Sequence, residues 1–290
     1  MLDGASENAT RPSAGSAGYA AAFGSVMALG LPLNAVSLWI LLTRKSLKSR
    51  SVVFMVNLAV SDLMLVVALS PRVYFYAAGA WPLGDTACIW FMMLFRNNIR
   101  SSSIFITFIS ADRLMAVVYP LRSRHLRTAS NAWKAVALVW VFVLAVNIPE
   151  SVELSRFLQN SSESSCFEYL KDPPSLMRYV QPVLVLAMLA VNVASTALVS
   201  RALRTRPDDS ARVKNKVNVM LIFAMNLAMF VVFFVPVSTF VFFQSEGASR
   251  TPLICLASVN CCVDPLLYYF SFDGFWKRKE DVDNSGTRES

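Results

Sequence analysis

Seven long apolar segments constrain the fold of this chain more than any other feature of its sequence. Each is close to the length of about 20 residues with which an α-helix crosses the ~30 Å hydrocarbon core of a bilayer. Only 16% of the 290 residues are charged, whereas about a quarter are charged in a typical soluble domain. The sequence therefore predicts an all-α membrane protein, a seven-transmembrane helix bundle. Its predicted segments are Tyr19–Leu42, Val52–Tyr76, Ala87–Val118, Ala132–Ile148, Tyr179–Val199, Val217–Phe243 and Leu253–Phe272.

The basic residues predict how the bundle is oriented. They are concentrated in the loops after segments one, three and five and in the C-terminal tail, which all lie on one side of a seven-pass bundle. Because short cytoplasmic loops carry an excess of lysine and arginine, we expect a multi-pass plasma-membrane protein with its N-terminus outside. Residues 1–18 would be an extracellular tail, 19–272 the transmembrane domain and 273–290 a cytoplasmic segment. Basic residues scattered beside spans indicate contact with membrane lipids and do not indicate a nucleic-acid partner.

Two sequons and two cysteines agree with this orientation. Asn8 and Asn160 each begin an Asn-X-Ser/Thr sequon, and both fall on the predicted outer side, so we expect glycosylation there. Cys88 starts segment three, and Cys166 lies in the long loop after segment four. Both are on the oxidising side, so a disulfide between them is a candidate that would hold this loop over the bundle mouth.

Polar residues inside the spans indicate a special environment in the bundle core. A carboxylate buried in lipid costs several kcal/mol unless it is solvated or paired. Two interpretations stay open, a shared polar chamber that holds water or a small cation, and separate hydrogen bonds between helices. The residues concerned are Asn34, Asp62, Asn98, Ser102, Asn260 and Asp264.

Two arginines interrupt segment three. Arg96 and Arg100 are four residues apart, which places them on one helix face. At a rise of ~1.5 Å per residue they lie about 12 and 18 Å below Cys88, too deep to reach the outer interface easily. They require a water-filled cavity, an acidic partner or an anionic ligand. A structural alternative pairs either one with Asp62, Asp264 or backbone carbonyls.

Several motifs follow one another in a characteristic order. They are GLPLN ending at Asn34, NLAVSD ending at Asp62, Asp112-Arg113 placed 24 residues after Cys88, FVVFFVP ending at Pro236, and NCCVDPLLYY beginning at Asn260. Together they resemble a rhodopsin-like, or class A, G-protein-coupled receptor over residues 19–280. The stretch FDGFWKRK resembles the short amphipathic eighth helix of that family.

The resemblance implies roles for individual residues. Arg113, beside Asp112, would insert toward a heterotrimeric G protein, and Tyr268 would swing inward on activation. Phe234 and Pro236 would form a hinge below the ligand pocket. No cofactor is implied beyond a structural sodium ion, which Asp62, Ser102, Asn260 and Asp264 would bind. Cys88 and Cys166 would form the family's disulfide.

Finer features resemble the purinergic-like branch, and within it the lysophosphatidic-acid receptors. These are DPLLYYF, FMVNLAVSDL, YPLRSRHLR and SCFEYL. By this resemblance Arg72 matches an arginine that holds the phosphate of an anionic lipid, and the planar guanidinium fork suits a phosphate. Ser238 and Val241 stand where nucleotide-binding members carry a histidine and a base, which favours a lysophospholipid. The predicted ligand site comprises Arg72, Tyr76, Phe95, Arg96, Arg100, Arg178 and Val241.

Other functions remain as alternatives. A nucleotide or fatty-acid receptor of the same branch would use the same fold. A non-signalling decoy or heteromer partner is a further alternative, because Leu114 follows Arg113 where the family has an aromatic residue. Segment five also lacks the family's mid-helix proline and the tyrosine of its cytoplasmic half. An enzyme is disfavoured, since His125 is the only histidine and lies in a predicted cytoplasmic loop without a nucleophile–base set.

Overall fold

The structure is a computed structural model that describes residues 14–119, 121, 123, 125, 127–160, 166–167, 176–205, 210–243 and 249–268. Within these ranges the chain forms helices and turns and no strand. Seven helices in the described part of the chain are long and apolar enough to cross a membrane. The predicted multi-pass membrane protein with a seven-helix bundle is therefore confirmed.

The described residues form seven long helices, α1 to α7, in chain order. The first five are α1 (Ala14–Thr43), α2 (Arg50–Ala78), α3 (Gly84–Val118), α4 (Ala129–Asn160) and α5 (Val180–Arg204), the last preceded by a 3-10 turn, Leu176–Tyr179. Helix α6 begins as Ser210–Met229, continues through a π-helical turn (Phe230–Phe234) and Val235–Thr239, and ends in a 3-10 turn, Phe240–Phe242. Helix α7 spans Thr251–Tyr268, with Thr251–Ser258 and residues 260–268 helical on either side of Val259.

Helix α3 lies at the centre of the bundle and packs against α2, α4, α5 and α6. Helix α2 is largely buried, whereas α1, α4 and α5 expose apolar side chains such as Trp39, Leu138 and Val183. A soluble protein rarely exposes apolar faces of this extent. In a bilayer these faces contact lipid.

The two ends of the bundle are chemically different. At one end the predicted disulfide is confirmed: Cys88 and Cys166 are joined, with 5.7 Å between their Cα atoms. At the same end the Ser16 hydroxyl donates to the Tyr76 carbonyl at 2.6 Å, and the Tyr76 and Thr251 hydroxyls are 2.9 Å apart. We call this the disulfide end, and the opposite end, which holds Asp112 and Arg113, the Asp112 end.

The predicted limits of segment four are wrong at its second end. Helix α4 continues 12 residues beyond Ile148 and includes Glu150, which the sequence places in a loop. Pro149 does not end the helix, because a proline inside a membrane helix costs one backbone hydrogen bond that neighbouring groups can replace. The charge on Glu150 is compensated by arginines of α3, so the helix need not end at the first acidic residue.

The helix that holds segment six begins before the apolar segment, whose predicted limits Val217–Phe243 agree with the apolar stretch Val219–Phe242. The α-helix starts at Ser210 instead of Val217, so Arg212, Lys214 and Lys216 belong to its first two turns and not to a loop. A helix can extend past the ends of the hydrocarbon core into the headgroup region. Helix α1 likewise begins at Ala14, inside the predicted tail. The sequon at Asn8, the predicted eighth helix and residues 269–272 lie outside the described residues, and Asn160 is the last residue of α4.

Candidate functional site

Arg72 is buried at the disulfide end between two aromatic rings. Its guanidinium carbon is 5.3 Å from the ring centroid of Phe95 in α3 and 4.4 Å from that of Phe167. Its Nη2 atom is 3.1 Å from the Met92 sulfur. The side chain is only 1% exposed. Cation–π contacts of this kind hold an arginine fork in a fixed plane when the surroundings are dry.

Phe167 is a member of this site that the sequence did not predict. It follows Cys166 of the disulfide, and its ring also packs edge-on against Phe75 and Trp81 with centroid distances of 5.6 and 5.2 Å. Its φ of 77° lies in the left-handed region, where a bulky non-glycine residue is rare. The ring contacts over-determine this backbone conformation and place Phe167 over Arg72.

Arg96 and Arg100 point to a different neighbour, helix α4. The Arg100 Nη2 atom lies 2.5 Å from Glu150 Oε1, and Arg100 Nη1 donates to the Asn147 side-chain oxygen. The Arg96 Nε atom is 3.6 Å from Glu150 Oε2, and its Nη2 atom is 3.5 Å from the Ser151 hydroxyl. Arg100 therefore does not pair with Asp62 or Asp264. The spacing of Asn147, Glu150 and Ser151 on one helix face would have indicated this partner, had the helix been predicted to extend that far.

The predicted ligand residues therefore fall into separate groups. Arg72 and Phe95 share the aromatic site between α2 and α3, and Tyr76 adjoins it through the Phe75 ring. Arg96 and Arg100 instead face α4. At the start of α5 the Arg178 Nη2 atom donates to the Tyr179 hydroxyl at 2.7 Å, and the Tyr179 ring stacks on Phe242 at 5.7 Å. Val241 belongs to the 3-10 turn that carries Phe242.

The polar residues of the spans converge in the bundle core. The Asn98 amide nitrogen lies 3.0 Å from Asp62 Oδ1 and 3.1 Å from the hydroxyls of both Ser61 and Ser102. Asn34 donates from α1 to the Cys261 carbonyl of α7 at 2.7 Å. Asp62 and Asp264 are fully buried and close enough to interact electrostatically. One polar core thus joins helices α2, α3 and α7.

Several oxygen atoms of this core accept no hydrogen bond from any described residue. They are Asp62 Oδ2, both carboxylate oxygens of Asp264 and the Asn260 Oδ1 atom. Buried carboxylates require compensation. Hard cations prefer carboxylate, carbonyl and hydroxyl oxygens, so these atoms with the Ser102 hydroxyl fit a small cation such as Na⁺.

At the Asp112 end, one carboxylate holds several partners. Asp112 accepts from the Ser51 hydroxyl at 2.7 Å and from Arg127 Nε at 3.0 Å, and Arg50 Nε lies at 3.7 Å. Arg113 follows it on α3 and is half-buried. Asp112 therefore joins the start of α2 to the segment between α3 and α4.

The predicted hinge residues lie in an irregular part of α6. Phe230 and Phe234 bound the π-helical turn, are fully buried and pack edge-on with their ring centroids 5.3 Å apart. Pro236 follows directly. A π turn beside a proline weakens the local helix and is typical of functional sites. In α7, Tyr268 is buried, and its hydroxyl makes no hydrogen bond to the part of the chain that is described.

Comparison with known proteins identifies the family. Residues 33–268 match the family described as 7 transmembrane receptor (rhodopsin family). This chain belongs to the rhodopsin family of seven-transmembrane receptors. The predicted class A resemblance is therefore confirmed.

The receptor is also similar to several lysophosphatidic acid receptors. It is 34% identical over 281 residues to lysophosphatidic acid receptor 4 of Homo sapiens, a match that covers 89% of this chain and 75% of the relative. It is 33% identical to lysophosphatidic acid receptor 6 of Mus musculus, covering 88% and 80%. With lysophosphatidic acid receptor 5 of Bos taurus it shares 34% identity, covering 86% and 74%. The predicted branch is confirmed by these relatives.

Proposed function

We propose that this receptor binds an anionic lysophospholipid, such as lysophosphatidic acid, at the cell surface and activates heterotrimeric G proteins. The observation that carries the proposal is the buried Arg72 between Phe95 and Phe167, beside the disulfide. Its relatives are named as lysophosphatidic acid receptors, which supports the same ligand class. In this proposal the disulfide end and the N-terminus face the cell exterior, as the basic residues of the loops predict.

The site offers the two properties that such a ligand needs. The Arg72 guanidinium carbon lies over the rings of Phe95 and Phe167, and the N–H donors along the edge of the fork are the groups that would bind an anion. The Met92 sulfur contacts the fork, the Phe75 ring packs on Phe167, and the Tyr76 ring packs in turn on Phe75, so the surroundings are apolar and aromatic. A charged head with an acyl tail matches this mixture better than a nucleotide, which requires polar groups around its base.

Signal transfer would use the irregular part of α6 and the Asp112 end. A ligand can shift the receptor only as far as it binds the active conformation more tightly than the inactive one. The π turn and Pro236 give α6 a place to bend. Bending there would open the Asp112 end to the G protein, with Arg113 at the cleft. A sodium ion held by Asp62, Ser102, Asn260 and Asp264 would stabilise the inactive conformation.

The proposal is tested by G-protein dissociation in cells that express the full chain. The panel comprises lysophospholipids, nucleotides and fatty acids, and the variants are Arg72→Ala and Arg72→Lys. The control is Arg156→Ala, which removes an exposed arginine near the C-terminal end of α4. We expect a response to a lysophospholipid that Arg72→Ala weakens by about 3 kcal/mol, or roughly a hundredfold, with Arg72→Lys in between.

Each other outcome has a distinct meaning. A response to nucleotides or fatty acids alone would replace the ligand class. Lysophospholipid binding without G-protein dissociation, at normal surface expression, would show the non-signalling alternative, which Leu114 and the unusual segment five motivate. Equal potencies of the wild type and Arg72→Ala would remove Arg72 from the binding site.

A further inference from the structure

Glu150 belongs to a cluster that carries more positive than negative charge. Among the described residues, the ion pairs of Arg96 and Arg100 are both made to this one carboxylate. Two guanidinium groups against one carboxylate leave a formal charge of +1. Glu150 is 8% exposed and Arg100 is 1% exposed, so these two groups compensate each other with little help from water.

The carboxylate is shared unequally between the two arginines. Arg100 lies at 2.5 Å from Glu150 Oε1 and has Asn147 as a second acceptor. Arg96 lies at 3.6 Å from Oε2, reaches Ser151 only at 3.5 Å, and keeps 23% of its side chain exposed. Glu150, Arg100 and Asn147 therefore form a neutral, closed unit. The surplus charge belongs to Arg96.

The position of Arg96 relates this surplus to the anion site. It follows Phe95 directly on α3, and the Phe95 ring covers one face of the Arg72 guanidinium. In this turn of α3, Phe95 contacts Arg72, and Arg96 carries a partly exposed positive charge on an adjacent face of the helix. A ligand head bound at Arg72 experiences the field of the cluster, which is weakly screened away from water.

We propose that Glu150 is a positioning residue that fixes the cluster at a charge of +1 and thereby sets which anionic head the receptor prefers. This inference rests on the proposed function. A phosphate monoester has a second pKa near 6 and is largely a dianion at neutral pH, whereas a carboxylate or a phosphodiester is a monoanion. A change of one charge in the cluster therefore alters the binding of the monoester more than that of the singly charged heads.

The test measures binding to the full chain in membranes with three probes that share an oleoyl tail. These are oleoyl-lysophosphatidic acid, oleoyl-lysophosphatidylglycerol and oleate. The readout is the ratio of the Kd of each singly charged probe to that of the monoester, at matched surface expression. A purely structural loss lowers the amount of active protein and leaves this ratio unchanged.

We expect the ratio to follow the formal charge of the cluster. Glu150→Gln raises the charge to +2 and should raise the ratio roughly tenfold, and Arg96→Met lowers it to 0 and should reduce the ratio roughly tenfold. The pair Arg100→Met/Glu150→Met removes the neutral unit and should leave the ratio at the wild-type value. Glu153→Gln is the matched control, because Glu153 lies three residues further along α4 and makes no ion pair with a described residue.

An unchanged ratio in Glu150→Gln, or the same shift in Arg100→Met/Glu150→Met as in Glu150→Gln, would overturn the inference. If Glu150→Gln does not reach the membrane, the double variant decides in combination with Arg96→Met. Arg100→Met/Glu150→Met should then keep the wild-type ratio. The triple variant that adds Arg96→Met should show a lower ratio, as Arg96→Met alone does. Failure of the wild type to bind any lysophospholipid would overturn the proposed function instead.

Discussion

At the scale of single residues, Gly30 permits a close approach between α1 and α7. A Cβ atom at this position would lie 2.8 Å from the Cys261 sulfur and 3.6 Å from a methyl carbon of Val66. Cys261 is fully buried, and its thiol is 3.2 Å from the Ser258 carbonyl, so it has little freedom to move. The nearby Asn34 bond to the Cys261 carbonyl depends on the same separation of the two helices.

We predict that Gly30→Ala destabilises the receptor by about 1–3 kcal/mol, because overpacking forces the Cys261 side chain or the helix to shift. The melting temperature of the purified protein in detergent measures this. Gly24→Ala is the control: a Cβ there meets nothing within 4 Å, and alanine favours the helix. Cys261→Ala should restore the stability of Gly30→Ala. Equal melting temperatures for the two alanine variants would contradict the close approach.

The arginines of α3 show which features of the site can be predicted from the sequence and which cannot. The apolar surroundings of Arg96 and Arg100 predict that each requires an acidic partner or a ligand, because burial of a bare charge is costly. The identity of the partner is not predictable in this way. The apolar segment ends at Ile148, so Glu150 is assigned to a loop unless the full length of α4 is known. Phe167 is not predictable either, for a different reason. Its place over Arg72 follows from the disulfide and a backbone turn, and no local sequence pattern indicates it.

At the scale of the elements, Asp112 links three parts of the chain. Its carboxylate contacts Ser51 and Arg50 at the start of α2 and Arg127 before α4. All of these contacts lie at the end of the bundle that would receive the G protein. The carboxylate thus compensates cations that would otherwise repel each other and Arg113.

We predict that Asp112→Asn lowers the melting temperature and raises ligand-free G-protein activation at least about twofold, because removal of a buried partner costs about 3–5 kcal/mol and frees the surrounding arginines. Cell-based G-protein dissociation without ligand measures the second effect. Asp85→Asn, an exposed acid at the opposite end of α3, is the control. A variant with wild-type stability and wild-type basal activity would show that Asp112 does not hold this end together.

The elements themselves were predictable in number and order but not at their ends. Seven apolar segments can be counted because the bilayer fixes the length that a helix must span. Helix ends do not follow this rule, since α4 continues to Asn160 and α6 starts at Ser210, both beyond the apolar segments. The π turn Phe230–Phe234 also has no signal in a pattern with a 3.6-residue period.

At the scale of the whole molecule, the polar core connects the helices of the bundle. Asn34, Asp62, Asn98 and Asp264 come from α1, α2, α3 and α7 and are all fully buried. The sequence left a shared chamber and separate hydrogen bonds open. In the structure Asn98 of α3 bonds to Asp62 of α2, and Asp62 interacts electrostatically with Asp264 of α7. Asn34 bonds separately to α7, and oxygens of both carboxylates accept no hydrogen bond from the described residues.

We predict that Na⁺ stabilises the ligand-free receptor and that Asp62→Asn abolishes the effect, since binding to the folded state alone raises its stability. The melting temperature should rise by a few degrees when NaCl replaces an equal concentration of choline chloride. Asp264→Asn should reduce the rise, and Asp85→Asn should leave it intact. The same rise in Asp62→Asn would place any sodium effect outside this core.

The central claim is that the receptor binds a lysophospholipid through the phosphate at Arg72. The most direct measurement is saturation binding of labelled lysophosphatidic acid to the purified protein in lipid nanodiscs, comparing the wild type with Arg72→Gln and Arg156→Gln. We predict one saturable site in the wild type and in Arg156→Gln, and a roughly hundredfold weaker site in Arg72→Gln. Saturable binding of equal strength in Arg72→Gln, or none in the wild type, would contradict the account.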